Sequence, residues 1–201
     1  MPGHFINNRG RYTSPLIWAA AIACAILSTA VIVAAIVVLS IYATYRPKIP
    51  SVHVEDARLT KLEYDRLGVL DAAVALTIVA ENGNAKAEAG FSAVGFDLAF
   101  HRIVMARLRA YPFDVGANGS VPLRYAVEAS PVPLDEESMA AMDSALKNGV
   151  VPLDLDGQAR TKWRVGIFLS LKYWIHLSCR IEFFWPNGSA LNSDCWSKAH
   201  L

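Results

Sequence analysis

Residues 172–184 read KYWIHLSCRIEFF. Tyr173, Ile175, Leu177, Cys179, Ile181 and Phe183 fall on one side of an extended chain. His176, Ser178, Arg180 and Glu182 fall on the other. Successive side chains of a strand point to opposite faces, so this spacing predicts a strand with one dry and one wet side. A wet face on each strand implies antiparallel sheets, because parallel sheets are covered on both sides.

The same period of two recurs outward from this stretch. In GQARTKWRVGIF (157–168), Gln158, Arg160, Lys162 and Arg164 oppose Ala159, Thr161, Trp163 and Val165. In SVPLRYAVE (120–128), Val121, Leu123, Tyr125 and Val127 oppose Arg124 and Glu128. Phe96, Leu98 and Phe100 alternate with Asp97 and His101, and Val74, Leu76 and Ile78 alternate with Ala73, Ala75 and Thr77. Asn82-Gly83, Asn118-Gly119, Asp156-Gly157 and Pro186-Asn-Gly188 read as turns between these runs. Seven or eight strands in this pattern predict a two-sheet sandwich. One segment differs. In PLDEESMAAMDSALKNG (133–149), acids open the stretch, Met139, Met142 and Leu146 recur at helical spacing, and Lys-Asn-Gly closes it. That is one short amphipathic helix inserted between strands, its methionines serving as core filler.

A different solvent is needed for Leu16–Ala43. Its 28 residues contain no Asp, Glu, Lys, Arg or His, and Ser28, Thr29 and Ser40 interrupt an otherwise aliphatic run. A bilayer core of about 30 Å needs about 20 apolar residues as a helix. The run is too long for an ordinary buried core helix, and about twice the h-region of a cleaved signal peptide. It predicts an uncleaved transmembrane helix. YRPKIP (45–50) then ends the span. Arg46 and Lys48 are costly in hydrocarbon, Pro47 and Pro50 break the helix, and Trp18, Tyr42 and Tyr45 suit the interfaces. The expected organisation is a short cytosolic tail (1–15), the span (16–43), an extended stalk (44–50) and a β-sandwich domain (51–200).

Basic residues flank both sides of the span, Arg9 and Arg11 before it, Arg46 and Lys48 after. Orientation therefore rests on other signs. Asn118-Gly-Ser and Asn187-Gly-Ser are glycosylation sequons, and Cys179 and Cys195 could pair in an oxidising compartment. All lie after the span, favouring a cytosolic N-terminus and an exported C-terminal domain. Beyond the tail's two arginines, 17 basic residues balance 18 acidic ones, which argues against nucleic acid as a partner. The lipid bilayer is the partner the span demands.

Little in the chain suggests chemistry. His53, His101, His176 and His200 are scattered, without G-x-S-x-G, H-E-x-x-H or C-x-x-C. LDLDG (153–157) lacks the further ligands of a calcium loop and reads as a strand ending in a turn. The expectation is no enzyme, no metal and no cofactor. Cys179 is either an inert core thiol or bridged to Cys195 across the last hairpin, and Cys24 is a small packing residue in the span.

The order of several stretches resembles a known family. A short tail, one span and YRPKIPSVHVEDARLTKL resemble the entry to plant harpin-induced-like proteins, also called non-race-specific-disease-resistance-like. LDAAVALTIVAENGNAK is similar to that family's strand leading into an Asn-Pro-Asn-Lys-Lys turn. Asn82, Asn84 and Lys86 match, while Gly83 and Ala85 depart, as does AEAGFSAVGFD after them. ARTKWRVGIFLSLKYWIHLSCRIEF resembles its penultimate strands, with Cys179 at the usual cysteine and Cys195 in keeping. The resemblance covers residues 40–200. It implies a late-embryogenesis-abundant type 2 domain of fibronectin-III-like fold at the plasma membrane or plasmodesmata. It also implies involvement in pathogen defence or abiotic stress, while the anchor, the short tail and the missing catalytic set point to a binding or tethering module in defence, with cell-wall components or other membrane proteins as expected partners. Protection of membranes during desiccation is the alternative.

Overall fold

A computed structural model describes residues 15–45, 48–65, 67–85, 87–165 and 169–200. They form two compact units, a helical segment and the body that follows it. The helix, α1 (Pro15–Tyr45), spans 31 residues, with no acid in its first turn and no base in its last. Proline suits the opening position because its missing N–H has no partner there anyway. The hydroxyls of Ser28 and Thr29 donate to the carbonyls of Cys24 and Ala25, each at 2.8 Å, so the helix satisfies its own polar side chains. Over Pro15–Ser40 mean hydropathy is 2.9 and none of the surface is buried. This helix is long and apolar enough to cross a membrane. Arg46 and Pro47 of the proposed exit lie outside the described residues.

The body is an antiparallel sandwich. A three-stranded sheet contains β1 (Ser51–Tyr64), β2 (Val69–Asn82) and β6 (Gly119–Pro133), in the order β1-β2-β6. The larger sheet contains β3 (Ala89–Phe100), β4 (Ile103–Ala110), β7 (Val150–Val165), β8 (Leu169–Phe184) and β9 (Ala190–His200), in the order β4-β3-β7-β8-β9. The short β5 (Phe113–Val115) pairs with β3 off that path. Without β5 and β9 this is the three-plus-four strand arrangement of a fibronectin type III sandwich.

The core follows the alternation. On β8, Ile175, Leu177, Cys179, Ile181 and Phe183 are buried, and across the sheet Phe91, Phe96, Leu98, Leu153 and Leu155 join them. Leu70, Leu76 and Ile78 of β2 close the layer from the smaller sheet. Cys179 and Cys195 stand directly opposite on β8 and β9 and are joined as a disulfide, Cα–Cα 4.1 Å. The inserted helix is α2 (Glu136–Asn148). Asp135 caps it by accepting from the Ser138 N–H at 2.8 Å, and Gly149 ends it at φ 69°, a left-handed position that favours glycine. Hydrogen bonds from the Ser138 hydroxyl and backbone hold the exposed Asp135 carboxyl below its ordinary pKa. Met142 is fully buried, and Met139 and Leu146 pack on the core's edge.

Three sequence expectations change. Asp156-Gly157 is no turn: it lies inside β7, with Gly157 opposite Phe96. A Cβ at 157 would sit 2.4 Å from Phe96 Cδ1 and 2.3 Å from the Gly95 carbonyl oxygen, so the glycine makes room for an inward ring. The strands number nine among the described residues. Bulges at Val54/Asp56 and Leu59/Lys61 break the alternation of β1, and β9 has almost no buried face. Finally, the last residues assigned to an extended stalk are part of the body. Pro50 is buried, and both backbone polar groups of Lys48 are bonded to the Asn84 side chain.

Candidate binding groove

Burial of one side of β3, β7 and β8 leaves their polar side chains in ordered rows on the outer face of the larger sheet. Cross-strand register places Arg109, Gly95, Gln158, His176 and Lys198 in one row. The next row holds Arg107, Asp97, Asp156, Ser178 and Trp196. These residues come from five strands, so no local spacing in the sequence could announce them.

A break in the pleat hollows this face. The β3–β7 register slips between Ser92 and Gly95, and Ala93 takes φ 50°, a left-handed conformation unfavourable for a residue with a Cβ. Gly95 leaves the floor bare, and the Arg109 guanidinium lies over it. A Cβ there would be 2.6 Å from Arg109 Nη1. The result is an open groove of about 760 Å³.

Asp97 and Asp156 face each other directly across β3 and β7, a juxtaposition that like charges disfavour. Each has a donor. Arg109 Nη1 lies 3.5 Å from Asp97 Oδ1, and the Ser178 hydroxyl donates to Asp156 Oδ1 at 2.5 Å. Aromatic rings stand at the two edges, Trp196 at 56% exposure beside β8 and Tyr111 at 93% just after β4. The ring of His176, which also lines the groove, stacks on His200 with centroids 4.5 Å apart. The groove thus offers flat aromatic surface and planar hydrogen-bonding groups, with two carboxylates and one guanidinium in its lining and Arg107 and Lys198 at the ends of the rows.

A second polar assembly lies at the end of the body where the chain enters it. Asn82 is fully buried, and its amide NH2 donates to the carbonyls of Ala87 (2.8 Å), Val115 (3.1 Å) and Gly116 (3.0 Å). Its Oδ1 accepts from the backbone N–H of Asn84 (3.1 Å) and from Asn84 Nδ2 (2.9 Å). Asn84 Oδ1 accepts from the Lys48 N–H at 2.8 Å, and Asn84 Nδ2 also donates to the Lys48 carbonyl. Three carbonyls accept only, which fixes the orientation of the Asn82 amide. This cluster fastens segments and leaves no free group for a ligand.

A third cluster joins Ser138, His101 and Glu137. The Ser138 Oγ lies 3.4 Å from His101 Nδ1, and His101 Nε2 lies 3.9 Å from Glu137 Oε1. The residue types match a hydrolytic triad, but the placement does not. Ser138 is fully buried inside the first turn of α2, its hydroxyl bonded to the capping Asp135. What the cluster holds is the β3–β4 turn, where His101 and Arg102 both take positive φ.

Of the proposed glycosylation sites, Asn118 is exposed in the turn before β6, its N–H donating to the Asn84 carbonyl at 2.9 Å. Asn187 is exposed in the β8–β9 turn, its Oδ1 accepting from the Ser189 N–H at 2.7 Å. The paired Cys179 and Cys195 point inward, behind the groove. Cys24 is exposed on α1. No group of three or more His, Cys, Asp or Glu among the described residues could hold a metal ion.

No family model matches the chain, and no curated protein matches it. Among solved structures, a protein from Archaeoglobus fulgidus is similar over 74% of this chain and all of its own, with 8% identity and a TM-score of 0.29. A likeness at that score carries no argument about fold or function.

Proposed function

We propose that the chain is a single-pass membrane protein that presents its sandwich outside the cytosol as a binding and tethering module. One observation carries the reading: the bare apolar surface of α1. Thirteen large hydrophobic side chains between Leu16 and Leu39 are at least half exposed. At about 1.5–3 kcal/mol for each fully buried side chain, leaving them in water costs on the order of 20 kcal/mol. Lipid removes that cost. The disulfide and two exposed sequon asparagines in the body favour the oxidising side of the membrane. The groove gives the sandwich a face with which to bind. A role in plant defence, at the plasma membrane or plasmodesmata, rests on the ordered stretches that resemble harpin-induced-like proteins.

Topology is tested in intact plant protoplasts expressing the chain with a C-terminal tag. External protease removes the tag, and glycosidase shifts the protein on a gel. A tag fully protected in intact cells and lost only after lysis overturns the outward orientation. Recovery of the full chain in a detergent-free high-speed supernatant overturns the anchor itself. A knockout line altered under infection but unchanged under drought supports the defence role, and the reverse pattern defeats it.

A further inference from the structure

We infer that the outer groove of the larger sheet is a binding site for a neutral saccharide chain. The inference deepens the binding-module reading and rests on it, since an extracellular glycan is reachable only from an exported domain.

The chemistry of the lining selects the ligand. The floor lies in the interior of the sheet, where β7 and β8 are paired on both sides and the slip leaves just Ala93 and Val94 without a β7 partner, so an added peptide strand finds no continuous edge to pair with. Recognition must come from side chains. The apolar part of the lining is the flat ring of Trp196 at one edge and Tyr111-Pro112 at the other, with no deep pocket for an alkyl chain or lipid tail. Between them stand Asp97, Asp156, Gln158 and His176. Carboxylates and amides present two acceptors, or an acceptor and a donor, side by side. That spacing suits vicinal hydroxyls of a pyranose, while an aromatic ring packs on the sugar's C–H face. The one guanidinium among the lining residues, Arg109, is already engaged by Asp97, so a uronate or sulfate would find cations only at the ends of the rows, on Arg107 and Lys198, which favours neutral chains.

Size agrees with shape. Trp196 and Tyr111 stand at opposite edges of a sheet whose order is β4-β3-β7-β8-β9. Four intervals of about 4.8 Å put the edges about 19 Å apart, room for three or four pyranose rings in a row. The volume of about 760 Å³ lies within the usual span of ligand sites, roughly 300–1,000 Å³. The slip at Ala93 and bare Gly95 supply the hollow, and bulges are enriched where a sheet carries a site.

The test uses the full chain in lipid nanodiscs, titrated with cellohexaose and laminarihexaose as neutral probes, an oligogalacturonide as the acidic probe, and glucose. The expected result is saturable binding of a neutral hexamer, with glucose and the oligogalacturonide at least tenfold weaker. Trp196→Ala is expected to weaken the hexamer roughly three- to tenfold, the loss of one stacking contact. Gln158→Ala and Asp97→Asn are expected to weaken it as well. All three positions are at least partly exposed, and unchanged thermal unfolding shows that each variant folds. Absence of binding by both neutral hexamers, preference for the oligogalacturonide, or binding indifferent to all three variants overturns the inference. The protoplast protease assay separates the two readings. An accessible tag with no saccharide binding defeats the ligand assignment alone, whereas a protected tag defeats the display on which it rests.

Discussion

Replacing Asn82 should damage the body more than its small size suggests. The side chain is fully buried and takes part in five hydrogen bonds, three given to carbonyls and two received from Asn84. Asn82→Ala takes a donor from three carbonyls, of which that of Gly116 keeps the Gly119 N–H, and strands the two Asn84 donors. Each buried polar group left without a partner costs about 1–3 kcal/mol, and water entering the vacated space recovers part of that. The net expectation is a loss of roughly 3–5 kcal/mol. Asn82→Asp keeps the shape and reverses the chemistry. An ionised carboxylate would meet three carbonyl oxygens, so the folded state favours the protonated acid and the carboxyl's pKa is raised above its unfolded value. The folded state then binds the extra proton, and stability falls as pH rises above the unfolded pKa of about 3.9. The fall continues, by up to about 1.4 kcal/mol per pH unit, until the folded pKa is reached. Urea unfolding of the full chain in micelles, followed by tryptophan fluorescence from pH 3 to 8 and compared with the native chain, measures both effects. A loss under about 1 kcal/mol for Asn82→Ala, or a pH profile for Asn82→Asp parallel to the native one, refutes the account.

Four smaller tests follow from other contacts. Asn84→Ala frees both backbone groups of Lys48, so trypsin should cut after Lys48 faster than in the native chain and shed the body from the span. Arg102→Gly should stabilise by about 0.5–1 kcal/mol. It relieves a φ of 71° and gives up an ion pair with Glu137 whose partners are 82% and 69% exposed, worth almost nothing in water. Tyr125→Phe should stabilise by up to about 1 kcal/mol, because the Tyr125 hydroxyl is buried without a partner and burial also raises its pKa. Reducing the Cys179–Cys195 bridge, which closes a sequence separation of 16, should cost about 3 kcal/mol by loop entropy and lower the unfolding midpoint on a urea gradient.

How much of this was legible depended on whether the signal was local. Alternation gave β8, β6 and the outer half of β7, because a strand buried on one side must repeat every two residues. Asp135 and Gly149 bracketed α2, because caps are properties of a few neighbouring residues. The His101-Arg102 turn was invisible. Such a turn needs positive φ at both central residues, and its usual mark is Asn-Gly. Here contacts with α2 hold a conformation the residues themselves disfavour. Gly157 was misread for the converse reason: glycine serves turns and ring clearance alike, and only Phe96 across the strand pair distinguishes them. The groove was beyond reach, since Asp97, Asp156, Ser178 and Trp196 become neighbours only through three strand registers.

The Asn82–Asn84 assembly bears on what the departures at Gly83 and Ala85 mean. In sequence they cast doubt on any function of the turn, because two of its positions differ from the pattern it resembles. In the structure the side chains doing the fastening are those of Asn82 and Asn84, two of the three that match, the third, Lys86, lying outside the described residues. Gly83 contributes clearance: a Cβ there would meet the mobile stem of Lys48 at 3.2 Å, a contact a flexible side chain can yield. Ala85 is exposed. The turn therefore works as a clasp rather than a recognition loop, binding its own chain's Lys48, Ala87, Val115 and Gly116. Its geometry also sets where tension would act. A pull through Lys48 passes along the backbone into β1, three residues on, and is shared by the Asn84 side chain, itself braced by the fully buried Asn82. A ligand in the groove sits on the larger sheet, behind the core. Groove and clasp are built from different residues, Asp97, Asp156, Gln158 and Trp196 in the one, Lys48, Asn82 and Asn84 in the other. That separation suits a tether, which must hold its load without loosening its grip.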